Sequence, residues 1–239
     1  MTTAVADQIM ANASDTGDRR RSISLRQAAA EFWRHTSPQL LAVLLVGAVA
    51  ARVAVGDWNA WDVWVPLLMI GFFPVQEWLI HVILLHWKPL QIGRFTLDPE
   101  VARKHREHHA DPRHVPLIFI PLGTLLVVLP LTIVVALVAF PTTGRGLTYL
   151  VTAAATGVVY EWTHYLIHSD YRPRTRVYRA IWRNHRLHHY KNEKYWFTVT
   201  SANTADVVFG TNPTPRTVDR SATARDLLGE QESSPVGTG

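Results

Sequence analysis

Residues 115–140 run for 26 positions without one charged side chain. That is longer and more continuously apolar than a helix in a water-soluble core usually is. About 20 mainly apolar residues cross a bilayer core, so the stretch predicts a transmembrane helix. Three other stretches share its character. Residues 39–55 are nearly all Ala, Val and Leu, with Arg52 near the end. Residues 63–85 begin apolar and then carry Gln76, Glu77 and His81. Residues 147–167 begin apolar and then carry Glu161 and His164. Four buried helices of a soluble protein are the competing reading, and the third stretch weighs against it. The expected fold class is all-α, a four-helix transmembrane bundle.

The basic residues supply an orientation. Of 24 Lys and Arg, five lie in residues 1–38, six in 86–114 and eleven in 168–239; the other two are Arg52 and Arg145. Loops rich in positive charge stay cytoplasmic. Four spans put the arm, the central loop and the tail on one side, so count and parity agree. This accounts for the net charge of +5 without nucleic acid, because the charge reads as a membrane-surface signal. Arg outnumbers Lys 20 to 4, a bias associated with GC-rich bacterial genomes, so the expected setting is a bacterial inner membrane. The expected organisation is a flexible basic arm (1–38), a membrane domain with a cytosolic cap (39–211) and a disordered tail (212–239). No secretory leader is expected, since the first apolar run begins after residue 38.

The chain has no cysteine, which excludes disulfides, thiolate zinc fingers, iron–sulfur clusters and cysteine nucleophiles. It has twelve histidines, ten of them in four clusters. These are His81 and His86; His105, His108 and His109; His164 and His168; and His185, His188 and His189. Each cluster falls at or beyond the cytoplasmic end of a span. Residues at i, i+3 and i+4 share a helix face, and both triplets have that spacing. Asp98 and Pro99 suit the start of a helix carrying the first triplet. His81 and His86 are five apart, about 140° around a regular α-helix, so either the metal sits past the helix end or the turn there is wide or frayed, and Pro74 a few residues earlier allows a kink. Neutral imidazole ligates Fe, Zn, Cu and Ni. Ten imidazoles are too many for one ion and suit two, with about five each. Scattered solvated histidines would explain any one cluster but poorly explain four on one face.

The halves resemble each other. Glu77-Trp78 precedes His81, Glu161-Trp162 precedes His164, and an H-x-x-H-H set follows each by roughly 20 residues. Glu77 and Glu161 are candidates to accept the second ring N–H of a ligand histidine; pairing with a surface Arg is the alternative. Asp206 is a candidate for the same supporting role, or a simple turn cap.

H-x4-H at 81–86, H-x-x-H-H at 105–109, H-x3-H at 164–168 and H-x-x-H-H at 185–189 together resemble the fatty acid hydroxylase / sterol desaturase superfamily of integral membrane di-iron oxidases. The stretch from His185 to Asn192, with Thr200-Ser201, Asp206 and Phe209-Gly210-Thr211, is most similar to the fatty acid 2-hydroxylase branch. The resemblance covers roughly residues 60–212. It implies a four-helix bundle under a cytosolic helical cap, two iron ions held by the ten clustered histidines, and O2 as co-substrate. It implies hydroxylation or desaturation of a C–H bond in a membrane lipid. The 38-residue arm is too short for a fused cytochrome b5 domain, so the expected electron donor is separate: a ferredoxin, a cytochrome b5 or a reductase. Ala205 stands where the family commonly has Trp. A sterol or carotenoid oxidase on the same scaffold is the alternative within enzymes, and a non-catalytic metal-binding membrane protein the alternative outside them.

Overall fold

The computed structural model describes residues 22–229; residues 1–21 and 230–239, which hold most of the expected arm and the end of the expected tail, lie outside it. Within the described part of the arm, Ser24 opens helix α1 (Leu25–Phe32). Its hydroxyl accepts the Gln27 N–H at 3.2 Å, and Gln27 Oε1 accepts the Ser24 N–H at 2.9 Å. This reciprocal cap satisfies two N-terminal donors. Phe32 is buried among Phe119, Trp162 and Tyr165. Residues 22–38 are therefore anchored, contrary to the expected flexible arm, because Ala28 and Phe32 give the segment an apolar face to bury.

Four long helices follow: α2 (Thr36–Val55), α3 (Trp61–Leu79), α6 (Leu122–Val138) and α7 (Thr143–His168). Between them lie α4 (Glu100–Ala110) and the single turn α5 (Val115–Ile118). Thr36–Val55, Trp61–Leu85 and Val115–Val138 are long and apolar enough to cross a membrane. Their outer faces expose Val43, Val46, Leu67, Leu68, Leu126 and Leu137, an apolar surface too extensive for a helix facing water. The expected fourth span differs in kind. Helix α7 packs against α2, α3 and α6, and buries Thr148, Thr152, Glu161 and His164. Its polar residues face protein, which lowers its hydropathy relative to the other three. Close approach is built in at Gly146, where a Cβ would lie 1.9 Å from the Ala136 carbonyl oxygen on α6.

At the end of the bundle away from the histidines, Arg52 is 3% exposed and pairs with Asp62 at 2.8 Å and Asp57 at 3.0 Å. Its Nε also donates to Thr148 Oγ1 at 2.9 Å, tying α2, α3 and α7 together. Trp58, Trp61 and Trp64 are exposed at this same end, as an interfacial aromatic belt would be.

The cap comprises α4, α8 (Arg176–Tyr190), α9 (Thr204–Val208) and their connections. The all-α expectation misses a small antiparallel hairpin, β1 (Leu90–Ile92) with β2 (Phe95–Leu97), in register Leu90↔Leu97. Gly93, at φ +61°, makes its turn. Asp98 does not cap α4; both its oxygens accept from Arg106 Nη2, at 2.8 and 2.6 Å.

Candidate metal centre

Helix α3 changes pitch at its C-terminal end, beneath the cap. Residues Ile80–Leu85 form a π-helical turn, in which the His86 N–H donates to the His81 carbonyl at 3.1 Å. A π turn places residues i and i+5 on one face, so the wider turn brings His81 and His86 together. Their ring centroids are 5.1 Å apart. Helices α4 and α8 each present an i, i+3, i+4 triplet inward, and the end of α7 presents His164 and His168.

The ten rings converge into two groups of five. His81, His86, His105, His109 and His188 form the first; His108, His164, His168, His185 and His189 form the second. In each, one nitrogen per ring lies within 4.8 Å of every other. Thus each triplet splits between the groups, and so does each half of the sequence. Nε2···Nε2 separations are 3.2 Å for His86–His188 and for His109–His188, and 3.1 Å for His105–His109, in the first group. They are 3.2 Å for His108–His168 and 3.0 Å for His185–His189 in the second.

The donor set fits a metal. Metal–imidazole bonds of about 2.1 Å put adjacent ligands of one ion about 3 Å apart, which matches these separations. The Nε2 atoms of His81 and His164 are buried with no hydrogen-bond partner among the described residues. Burial, and then the neighbouring rings, hold His86, His105, His185, His188 and His189 well below the usual imidazole range. His108 is lowered for the same reasons. Burial takes His109 down to about 3, although its bond to the Ala224 carbonyl pulls the other way. Neutral rings at pH 7 keep their lone pairs available for a cation.

Backbone carbonyls orient four of the rings. His188 Nδ1 meets the Tyr195 carbonyl at 2.8 Å, His109 Nδ1 the Ala224 carbonyl at 2.9 Å and His164 Nδ1 the Ile118 carbonyl at 2.9 Å. His81 Nδ1 meets the Phe197 carbonyl. An Nδ1–H given to a carbonyl fixes the tautomer that leaves Nε2 as ligand. The loop that holds two of these rings turns at Trp196, which is buried at φ +58°.

The carboxylates act one step further out than expected. Glu77 accepts from Thr200 N at 2.9 Å and Thr200 Oγ1 at 3.1 Å, and Glu161 from Ser37 Oγ at 2.5 Å and Ile120 N at 2.8 Å. Neither bonds a histidine ring. Asp206 accepts the N–H groups of Phe197 and Thr198 at 2.8 and 2.9 Å, and the Thr211 hydroxyl at 2.7 Å. All three brace loops that carry or adjoin the orienting carbonyls.

An apolar cavity of about 320 Å³ opens from this centre into the bundle. His81 and Glu77 lie at its upper end, and α2, α3, α6 and α7 form its walls.

The fatty acid hydroxylase family model matches residues 66–211, well over half the chain and including all ten clustered histidines. The chain belongs to the fatty acid hydroxylase family. Its fold is shared with a solved structure described as full-length Scs7p, in which only the hydroxylase domain is visible. The two agree with a TM-score of 0.61 and 18% identity, over 80% of this chain and 69% of that one. No curated protein sequence matches the chain.

Membership explains the histidine pattern but not every contact to it. In this hydroxylase-family chain, residues 212–229 are not a disordered tail. Ala224 is 2% exposed and meets His109, while Arg225 Nε donates to the His109 carbonyl at 2.8 Å. The composition of the segment hides this, because its anchor is a backbone carbonyl. His35, outside the clusters, stacks on Phe119 at 4.2 Å, and His114 is exposed.

Proposed function

We propose that this chain is an O2-dependent lipid hydroxylase that oxidises a C–H bond of a fatty acyl chain. The ten clustered histidines are the ligands, five to each of two iron ions. The observation that carries this reading is the apolar cavity ending at His81: a chain lying in it presents a carbon to a donor set suited to redox metals. Bound iron would supply O2 activation, using two electrons from a separate ferredoxin, cytochrome b5 or reductase.

The protein's part is binding, orientation and exclusion of water. Apolar side chains of four helices hold the lipid tail. Burial of nine of the ten histidines keeps bulk water from the reacting carbon. Carbonyls of Ile118, Tyr195, Phe197 and Ala224 fix ring orientation. The α7 helix is the fourth span, and the basic arm, central loop and tail face the cytoplasm, in a bacterial cell membrane.

Two measurements test the reading. Metal analysis of the purified chain is expected to give about two iron per chain, and less in His105→Ala and His188→Ala. The lipids of a host with and without the gene are expected to differ by a hydroxylated acyl lipid. An unchanged lipidome with iron-loaded protein present would reject the proposal. A hydroxylated sterol or carotenoid would reassign the substrate.

A further inference from the structure

The cavity has a floor, and nothing about the metal ligands requires one. Glu161 in the cap-side part of α7 bonds Ser37 at the start of α2 and Ile120 just before α6, so these helix ends share a level, and Ile120 lines the cavity together with His81. The opposite end of the cavity is lined by Leu44, Met69, Thr132 and Tyr149. Immediately beyond, Ala48, Ala136 and Leu150 pack together, with Tyr149 and Leu44 against them. The Tyr149 ring also lies 5.1 Å from that of Phe140. Tyr149 is thus the lowest residue of α7 in the cavity wall and is backed by packed protein.

The depth of the cavity follows from the helix. Tyr149 and Tyr160 both line it, and at about 1.5 Å per residue they stand about 17 Å apart. A bilayer core of about 30 Å gives each leaflet roughly that depth of acyl chain. Width is set between them, on the same face of α7, by Ala153 and Gly157. A Cβ on Gly157 would stand 3.1 Å from Cδ2 of Leu41, another residue of the cavity wall, so α2 and α7 already lie close together there. The buried His81 Nε2, without a protein partner among the described residues, marks the other end.

We propose that this cavity gauges acyl-chain length: Tyr149 stops the methyl end of the chain, and the small side chain at Ala153 keeps the bore open above it. The inference rests on the reading that a lipid tail lies in the cavity. Each buried methylene favours binding by about fourfold, so a lowered floor rewards longer chains and a narrowed bore penalises them.

The test reads bound chains and products separately. The full chain and its Tyr149→Ala, Tyr149→Phe and Ala153→Leu variants are purified in detergent. Acyl chains that co-purify are extracted, and their lengths are measured by mass spectrometry against the host's own lipids. Tyr149→Ala is expected to raise the ratio of longer to shorter bound chains by about fourfold per added methylene. Ala153→Leu is expected to shift the ratio the other way, and Tyr149→Phe to keep the wild-type distribution. If Ala153→Leu does not fold, the two Tyr149 variants still decide. An unchanged distribution in Tyr149→Ala, or no enrichment of acyl chains by the wild type, overturns the gauge. Shifted bound lengths without any hydroxylated lipid in the same cells would uphold the gauge and overturn the hydroxylase reading.

Discussion

Glu161 accepts the backbone N–H of Ile120 at 2.8 Å, and the Ile118 carbonyl two residues earlier holds His164 at 2.9 Å. The other half repeats the device: Glu77 accepts from Thr200, and the Phe197 carbonyl three residues earlier holds His81. Each carboxylate pins a loop, and the loop aims a ring. The two rings belong to different groups, so the two carboxylates support different groups of rings.

Their removal is expected to separate the two positions. Glu161→Ala should weaken metal at the His164 group by about 10–100-fold, the usual cost of losing an outer support, with a smaller effect at the His81 group. Glu77→Ala should do the reverse. Competitive chelator titration with metal analysis reads both. Equal losses at both positions would show that the carboxylates stabilise the cap as a whole.

The two groups also differ in how firmly their rings are held. In the first, His81, His109 and His188 each meet a backbone carbonyl. In the second only His164 does, while Nδ1 of His108, His168, His185 and His189 is buried without a partner among the described residues. Metal loss to a chelator is therefore expected in two phases, the second group emptying first. His189→Ala should remove the fast phase and His188→Ala the slow one. A single phase in the wild type would show that ring anchoring does not govern affinity here.

Arg225 offers a test of the segment that composition suggested was disordered. Its guanidinium donates to the last carbonyls of α4, those of His109 and Ala110, and lies over the Tyr190 ring. Arg225→Ala is expected to lower stability by about 0.5–1 kcal/mol, because the exposed guanidinium is screened by water, and to weaken metal at the first group. Thermal unfolding in detergent and metal content check it. Unchanged values in both would place residues 212–229 outside the working centre.

The sequence made the clustered imidazoles readable and left their supports hidden, for a physical reason. Imidazoles at i, i+3 and i+4 announce one face of a helix, and the odd spacing of His81 and His86 left a wide turn as one of several solutions, the one that the π segment supplies. Backbone carbonyls carry no residue identity, so the acceptors at Ile118, Tyr195, Phe197 and Ala224 left no mark in composition or spacing. Glu77 and Glu161 were visible as intramembrane carboxylates, but their partners are 123 and 41 residues away in the chain. Three spans stood out because they expose apolar faces. The central helix α7 was harder to class, since it spends its polar residues on its neighbours.

The histidines set the response to acid of the metal-stripped protein. Those of the cap titrate well below the ordinary value near 6.5 because they are buried, His109 at about 3. Between those two values the unfolded chain binds more protons than the folded one. Stability therefore rises with pH across that window and falls as pH drops through it. Each such histidine contributes a slope of up to about 1.4 kcal/mol per pH unit, so several acting together make the loss steep. Thermal unfolding of the chelator-treated full chain in detergent is expected to be level from pH 8 down to about 6.5, and then to fall continuously towards pH 4. Replacing His109 with Gln removes one titrating group and should flatten that fall. A midpoint independent of pH below 6.5 would mean that the rings are not buried neutral in the folded chain.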